Sequence, residues 1–250
     1  MALASSLREH EPLNPLIAKL EGVAPLAEAD RSALAALGDD ARDVPARRSL
    51  IREGDRPEHV HLMVEGWAAR YKLLPDGGRQ ITAFLLPGDF CDLHVTLLGE
   101  MDHGIATLTR SRVAFIPRST MEAVADRPGL ARALWWATLV DEAVLRAWIV
   151  NIGRREAFAA VGHLICELYV RMKTVGLVAG HGFDLPLTQE EIADALGLTS
   201  VHVNRVLQRL RADELISLNR GLLTIRDYDR LEQASGFNPN YLHIERRVGD

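Results

Sequence analysis

The sequence has few cysteines and no long apolar run. Cys91 and Cys166 are the two cysteines among 250 residues. They are too few for a disulfide framework or for an iron–sulfur cluster held by four thiolates. No apolar stretch reaches the length of about 18 residues that a membrane-spanning helix needs. The opening residues MALASSLREHEPL lack the basic and apolar pattern of a signal peptide. We therefore expect a cytoplasmic protein without a membrane span.

Basic residues are outnumbered by acidic ones, 29 to 34, which gives a formal net charge of −5. This balance excludes a chain that is basic throughout, but the charge is unevenly spread. Between residues 152 and 226 nine basic residues accompany eight acidic ones, so this part is slightly positive while the rest is acidic. The length suits one large or two ordinary domains. A basic surface for nucleic acid, if present, is expected in the C-terminal part.

The stretch LTQEEIADALGLTSVHVNRVLQRL, residues 187–210, has the pattern of two short helices joined by a glycine. Thr188 and Glu191 have the spacing of a capping box, Gly197 is suited to end the first helix, and Thr199 can cap the second. Apolar residues recur at helical spacing on the second helix and predict its packing face: Val203, Val206, Leu207 and Leu210. The opposite face carries Val201, Arg205 and Gln208, flanked by His202, Asn204 and Arg209.

A short hairpin follows these helices. Residues 215–217 and 222–225 are apolar runs of strand type, and Asn219-Arg220-Gly221 between them is a turn signal. Two helices around a glycine turn, followed by a hairpin, are typical of a winged helix that binds DNA. A helical hairpin with a solvated face, or a winged helix used for protein contacts, is the alternative interpretation.

The N-terminal half shows a different periodicity. After two short helices within residues 16–37, short strands separated by glycine turns predict a β-barrel or a double-sheet roll. The predicted strands are 49–51, 59–64, 67–73, 80–86 and 104–116. Pro128 then begins a long helix that reaches about residue 152, and its apolar surface is wide enough to pack on both the roll and a second copy of the chain. Asn151-Ile152-Gly153 is the expected break.

Both halves resemble the Crp/Fnr superfamily of bacterial regulators. LTQEEIADALGLT and VHVNRVLQRLRADELI are similar to its DNA-binding domain, and IREGD, HLMVEGWAARY and LLPGDF are similar to its cyclic-nucleotide-binding β-roll. The resemblance implies an α+β fold with an N-terminal β-roll or jelly-roll sensor domain, a long dimerisation helix and a C-terminal winged helix-turn-helix domain. The corresponding ranges are 15–127, 128–152 and 153–227, with 228–250 as a C-terminal tail.

The resemblance also implies a function. The chain is expected to be a transcriptional regulator rather than an enzyme, and to bind an inverted repeat of double-stranded DNA as a homodimer. Arg205 matches the family arginine that reads guanine, and Val201 stands where many relatives carry a glutamate. The expected DNA-binding residues are Thr188, Gln189, Thr199, Ser200, Val201, His202, Asn204, Arg205, Gln208, Arg209 and Arg220. An activator of this type would also contact RNA polymerase, although no residue can be assigned to that contact.

The effector pocket departs from the family pattern. Where cyclic-nucleotide binders carry a Gly-Glu pair and an Arg-Ser pair, this chain has Asp92-Leu93 and His103-Gly104. Both the phosphate-binding arginine and the ribose-binding glutamate are missing, so we expect that the pocket does not bind cyclic AMP. The candidate pocket residues are Asp92, Leu93, His94, His103 and Gly104. A neutral or cationic ligand, haem held by a histidine, and an empty pocket all stay open. The adjacent Cys91 is either redox-active or a buried, inert thiol, and the second is favoured.

A metal site is the rival interpretation. His59, His61 and Glu65 match part of the cupin pattern, in which two histidines and a glutamate bind a metal inside a jelly roll. His59 and His61 would lie on the same side of a strand. However, Glu65 directly precedes a turn glycine, and no matching second histidine motif follows. We therefore assign no metal ligand from the sequence and keep a cupin-like metal protein as the alternative.

Overall fold

The structure is a computed structural model that describes residues 14–21 and 25–244. It begins with two short helices, α1 (Pro15–Leu20) and α2 (Glu28–Ala36). The side chain of Asn14 caps α1 by accepting from the backbone N–H groups of Leu16 and Ile17. The two helices predicted within residues 16–37 are confirmed. Among the described residues no helix is long and apolar enough to cross a membrane.

Seven strands form the N-terminal β-roll, in two antiparallel sheets. One sheet has the order β1-β7-β3 and the other the order β2-β6-β4-β5. The predicted strand at 104–116 is interrupted, because residues 108–110 leave the sheet and the chain crosses from one sheet to the other there. The strands are β1 (Arg42–Val44), β2 (Ser49–Ile51), β3 (His59–Glu65), β4 (Ala68–Leu73), β5 (Arg79–Leu85), β6 (Gly104–Thr107) and β7 (Ser111–Pro117).

Two turns of the roll require glycine. Gly66 and Gly88 have φ angles of 86° and 89°, in the region that residues with a Cβ rarely adopt. A Cβ at Gly66 would also lie 2.7 Å from the carbonyl oxygen of Arg110, and one at Gly88 would lie 2.7 Å from that of Pro15. These glycines therefore allow the close approach of neighbouring backbone as well as the turn.

After the short helices α3 (Val95–Leu98) and α4 (Arg118–Ala125), the long helix α5 spans Pro128–Arg154. The break predicted at residues 151–153 is wrong, because α5 continues through Gly153 and ends one residue later, at Arg154, before the extended Arg155. A glycine costs a helix only about 1 kcal/mol relative to alanine. Burial of the α5 stripe, which includes Leu130 and Trp148, outweighs that cost.

The C-terminal part contains α6 (Ala157–Thr174), β8 (Gly182–Asp184), α7 (Gln189–Leu196), α8 (Ser200–Ala212), β9 (Ile216–Asn219), β10 (Leu222–Ile225) and α9 (Tyr228–Ser235). The three strands form one antiparallel sheet with the order β8-β10-β9. A 3-10 helix, Pro239–Leu242, follows α9. This is a winged helix-turn-helix with an additional helix at its end.

The segment that the sequence analysis assigned to a C-terminal tail, 228–250, is folded over its described part. Leu231, Phe237 and Leu242 are buried in the same core as α6 and α8. The approach of α9 to α6 is close, since a Cβ at Gly162 would lie 3.0 Å from Cβ of Ser235. Because these apolar residues are buried there, residues 228–242 complete the C-terminal core. Residues 245–250 lie outside the described part.

Buried charges connect the roll to the C-terminal part. The carboxylate of Asp89 accepts from Nζ of Lys19 over 2.6 Å and from Nη2 of Arg171 over 2.8 Å. Burial alone would raise the pKa of Asp89, but the two cations outweigh it and lower the pKa to about 2. Arg171 also donates to the carbonyl oxygen of Phe84. The roll and α6 are therefore held together by a paired and hydrogen-bonded carboxylate.

Candidate DNA-binding face and effector cavity

The helix-turn-helix has the local geometry that the sequence predicts. The Thr188 hydroxyl accepts from the backbone N–H of Glu191 over 3.1 Å, and the Glu191 carboxylate accepts from the backbone N–H of Thr188 over 2.8 Å. Gly197 ends α7 in the left-handed conformation, with φ 65°. The Thr199 hydroxyl caps α8 by accepting from the N–H of His202 over 3.2 Å. The predicted capping box, turn and second cap are confirmed.

One face of α8 is anchored, and this fixes the direction of the other. Val203, Val206, Leu207 and Leu210 are buried, as the periodicity predicts. The opposite face is solvent-exposed, and Val201 keeps 60% of its surface exposed although it is apolar. Of the expected DNA-binding residues, Asn204 is partly buried and the others are exposed: Thr188, Gln189, Thr199, Ser200, Val201, His202, Arg205, Gln208, Arg209 and Arg220.

The two arginines of α8 differ in their surroundings. The side chain of Arg205 has no hydrogen bond or ion pair with any residue that the structure describes, so its guanidinium is available to a ligand. Arg209 instead lies over the ring of Phe158, 4.5 Å from the ring centroid, and its Nε is 3.7 Å from Oδ2 of Asp213. The sequence predicted Arg209 at the flank of the exposed face. In the structure its guanidinium lies next to Phe158, near the start of α6.

The wing presents a further arginine. β9 and β10 are joined by a tight turn in which Arg220 and Gly221 have φ angles of 50° and 85°. Positive φ at both central residues is the conformation of hairpin turns whose twist matches that of the strands. Arg220 is exposed at the tip of this hairpin. The exposed face of α8 and the wing therefore form two separate elements to which DNA can bind.

A cavity of about 510 Å³ lies between the β-roll and α5. Three of the candidate pocket residues line it, namely Leu93, His94 and His103. Helix α5 contributes Ala137, Thr138, Asp141, Glu142 and Leu145, and α1 contributes Leu16, Lys19 and Leu20. Three of the five candidate pocket residues therefore line one cavity, and the helix that leads to the C-terminal part forms one of its walls.

Two candidate pocket residues do not line the cavity. Asp92 is fully buried, and its carboxylate accepts from the backbone N–H of His61 over 2.7 Å and lies 2.7 Å from Nδ1 of the same histidine. Asp92, a candidate pocket residue, is therefore engaged by His61 and is not part of the cavity lining. Gly104 lies behind the wall, where a Cβ would come 2.6 Å from Cζ of Tyr71.

Basic residues that were not predicted from the sequence also line the cavity wall. Arg70 donates to the carbonyl oxygens of Cys91 and Phe90 and, over 3.0 Å, to Asp141 of α5. Lys72 lies 2.5 Å from Glu53, and Lys19 is paired with Asp89. Arg70 and Lys72 occupy alternate positions of β4, which is the signal for a shared polar face. Each of these cations already has a carboxylate partner.

Two histidines meet at one end of the cavity. The rings of His94 and His103 are 5.3 Å apart between centroids, and Nδ1 of His103 is 2.6 Å from Oδ1 of Asp102. Burial is the largest cause that lowers the pKa of both histidines, which favours their neutral forms. The hydrogen bond from His103 lowers the pKa of Asp102. The Nε2 atoms of both histidines are buried without a hydrogen-bond partner among the described residues.

The residues of the rival metal site do not converge. His61 is engaged by Asp92 and packs edge-on against the ring of Phe115. Glu65 points away at the end of β3, where it pairs with Arg112 over 3.4 Å. Within residues 14–21 and 25–244, the group of side chains that could hold a metal is His94, Asp102 and His103. The cupin-like alternative therefore has no assembled site in this fold.

Comparison with known proteins divides the chain as the structure does. Residues 41–127 match the sequence model of the cyclic nucleotide-binding domain, and residues 159–234 match that of the Crp-like helix-turn-helix domain. The first match covers the seven strands of the roll with α3 and α4. The second match begins within α6 and ends one residue before the end of α9. Both family models therefore coincide with folded units.

The relatives are transcriptional regulators. The chain is 30% identical over 199 residues to transcriptional activator protein FnrL of Cereibacter sphaeroides, across 78% of this chain and 80% of FnrL. It is 35% identical over 188 residues to the nitrogen fixation regulation protein FixK of Azorhizobium caulinodans, across 74% of each chain. Among solved structures, FixK2 from Bradyrhizobium japonicum has a TM-score of 0.68 at 26% identity, covering 78% of this chain and 96% of FixK2.

Proposed function

Because this chain belongs to the Crp/Fnr family of DNA-binding transcriptional regulators, we propose that it acts as a homodimer on an inverted-repeat DNA site. The observation that carries the proposal is the exposed face of α8, in which Arg205 is free of other partners while the opposite face is locked into the core. A rigid helix that presents an unengaged arginine is suited to the major groove.

The assignment of bases follows from side-chain chemistry. The guanidinium of Arg205 can donate two hydrogen bonds to O6 and N7 of guanine. Val201 has no acceptor for the amino group of cytosine but can contact the methyl group of thymine. Other exposed residues of α7, α8 and the wing are proposed for phosphate or further base contacts: Thr188, Gln189, Thr199, Ser200, His202, Asn204, Gln208, Arg209 and Arg220.

Support for the dimer comes from α5. Trp135 and Ile149 each keep 69% of their surface exposed, and Leu139 keeps 46%. A long helix that exposes large apolar side chains on one side while burying the other is suited to pack against a second copy. Two-fold symmetry would then place the two α8 helices in successive major grooves, about 34 Å apart.

We also propose the cavity between the roll and α5 as the effector site, with a ligand other than cyclic AMP. Each of the basic side chains that line it, Lys19, Arg70 and Lys72, is paired with a carboxylate, so the described part of the chain offers no unpaired lysine or arginine to a phosphate in this cavity. Asp141 and Glu142 add negative charge to the same wall. If the chain activates transcription, as the name of FnrL states for that relative, a contact with RNA polymerase belongs to this function as well.

Selection of binding sites from a random duplex library tests the proposal. The purified full-length chain, with no effector added, is expected to recover an inverted repeat whose half-site contains a guanine that Arg205 reads. Arg205→Ala should lose about 1–3 kcal/mol of binding energy and relax the preference at that base pair, whereas Arg110→Ala, on the exposed surface of the roll, should change neither. Recovery of no sequence, both from purified protein and from cell extract that supplies effectors, would contradict the proposal and favour a winged helix used for protein contacts.

A further inference from the structure

The cavity contains an unusual pair of polar atoms. Nε2 of His94 and Nε2 of His103 are both buried, and neither has a hydrogen-bond partner among the described residues. A buried polar atom without a partner costs free energy, and native structures rarely leave one unsatisfied. Here two such atoms belong to neighbouring rings at the end of one cavity. One ligand held between the two rings would satisfy both.

The protonation pattern shows what kind of ligand these atoms require. A carboxylate accepts hydrogen bonds, so Nδ1 of His103 is the nitrogen that donates to Asp102 over 2.6 Å, and Nε2 is the nitrogen left to bind a ligand. A histidine that donates one nitrogen to a carboxylate and keeps the other as a lone pair is the arrangement found around metal-binding histidines. The partner of Nε2 is therefore an electron-pair acceptor, such as a metal cation.

The three side chains lie close together. One ligand atom from each of His94, Asp102 and His103 lies within 4.8 Å of the others. Because Asp102 is engaged at Nδ1 of His103, on the side of the ring away from Nε2, its carboxylate orients the ring instead of binding at Nε2. Imidazole nitrogens suit zinc, iron and similar divalent transition metals.

We propose that His94 and His103 bind a divalent transition-metal ion of the zinc type through their Nε2 atoms. Asp102 is the carboxylate that orients His103 through Nδ1. The remaining coordination positions of the ion face the cavity. It is distinct from the cupin-like pattern of β3, and no metal ligand was assigned to these residues from the sequence.

The site would connect two segments to the wall of α5. His94 precedes α3, whose Leu97 and Leu98 are exposed, and His103 directly precedes β6. An ion held between them would tie the segment 94–98 to the sheet beside Asp141 and Leu145 of α5. The idea that the ion acts as an effector rests on the proposed function, whereas binding of the ion does not.

Cobalt titration tests the site without DNA, so its failure is distinguishable from failure of the DNA-binding proposal. Tag-free full-length protein is treated with a chelator and titrated with Co²⁺, and visible absorption is followed. We expect one Co²⁺ per chain, displaced by Zn²⁺. His94→Asn and His103→Asn should each weaken binding by at least about tenfold. Asp102→Asn should also weaken it, and because Asp102 is exposed this variant is expected to fold normally.

His59→Asn is the matched control, since it removes a histidine of the rival pattern in the same domain. Its affinity for Co²⁺ should equal that of the wild type, and circular dichroism should show that every variant is folded. The proposal is overturned if the wild type binds no stoichiometric metal, or if His94→Asn and His103→Asn bind as tightly as the wild type. Loss of binding in His59→Asn alone, or binding of haem without binding of Co²⁺, would also overturn it.

Discussion

Arg79, at the start of β5, donates from Nε to Oδ2 of Asp194 on α7 over 2.8 Å, and this ion pair joins the β-roll to the first helix of the helix-turn-helix. The adjacent Gln80 donates to the carbonyl oxygen of Ala195. The hairpin of β4 and β5 therefore lies directly against the DNA-binding unit. The same strand pair carries Arg70, which lines the cavity between the roll and α5.

A double-mutant cycle measures this contact. The side chains of Arg79 and Asp194 are 33% and 23% exposed, so solvent screens the pair in part and we expect a coupling of about 0.5–1 kcal/mol from Arg79→Ala, Asp194→Ala and the double variant in urea unfolding. The exposed pair Arg56–Glu100 is the control and should show almost no coupling. Equal coupling in both cycles would contradict a structural role for the pair between roll and α7.

Asp89 predicts a pH dependence of stability. Its folded-state pKa of about 2 lies below the ordinary value of 3.8. A lowered pKa stabilises the fold above pH 3.8, and this contribution is lost as the pH falls through the interval from 3.8 to about 2. Asp89→Asn should therefore lower the free energy of unfolding at pH 7 by about 2 kcal/mol.

The pH series is the control for that prediction. The difference between wild type and Asp89→Asn in urea midpoint should shrink steadily between pH 4 and pH 2, because the wild-type carboxylate is protonated there. An exposed substitution, Asp43→Asn, should show no comparable loss. A difference that stays constant with pH would mean that the side chain of Asp89 contributes packing rather than charge.

Both thiols are expected to be unreactive in the folded protein. Burial raises the pKa of Cys91 well above its ordinary value, and burial also raises the pKa of Cys166 to about 12. The thiolate is the reactive form of cysteine, so neither residue should react with a disulfide reagent at pH 8 until denaturant is added. Rapid titration of one thiol per chain in native buffer would instead support the redox-active alternative for Cys91.

Val201 predicts a change in DNA specificity. Val201→Glu introduces an acceptor for the amino group of cytosine and removes the contact with the thymine methyl group, so one base pair of each half-site should change its preference. The expected discrimination is about 1–3 kcal/mol at that base pair. Val201→Ala is the matched control, since it shortens the side chain without adding an acceptor and should only weaken the original preference. An unchanged base preference in Val201→Glu would contradict the placement of this side chain.

The local features of the C-terminal domain could be predicted from sequence. Caps, turn glycines and apolar periodicity involve residues within one or two helical turns, and the capping box of Thr188 and the turn at Gly197 were both found in this way. The β-roll was predicted as a fold because its strands and turns repeat, although the strand at 104–116 is divided in the structure.

The cavity could be predicted only in part, because its chemistry depends on distant segments. Asp92 was expected in the pocket, but its neighbour across the roll is His61, 31 residues earlier in the chain. Arg70 was missed because its partner Asp141 is 71 residues away. The pairing of His94 with His103 was not evident either, since it requires the path of the intervening α3. Each of these contacts is set by tertiary packing.

The central claim is that a symmetric dimer reads two half-sites at once, and the spacing of those half-sites tests it most directly. Affinity is measured for the selected inverted repeat and for the same site with about five base pairs, half a helical turn, inserted at its centre. The insertion is expected to lower affinity to the level of a single half-site, because the second α8 then faces away from its groove. Unchanged affinity would contradict the dimer and show that each chain binds its half-site independently.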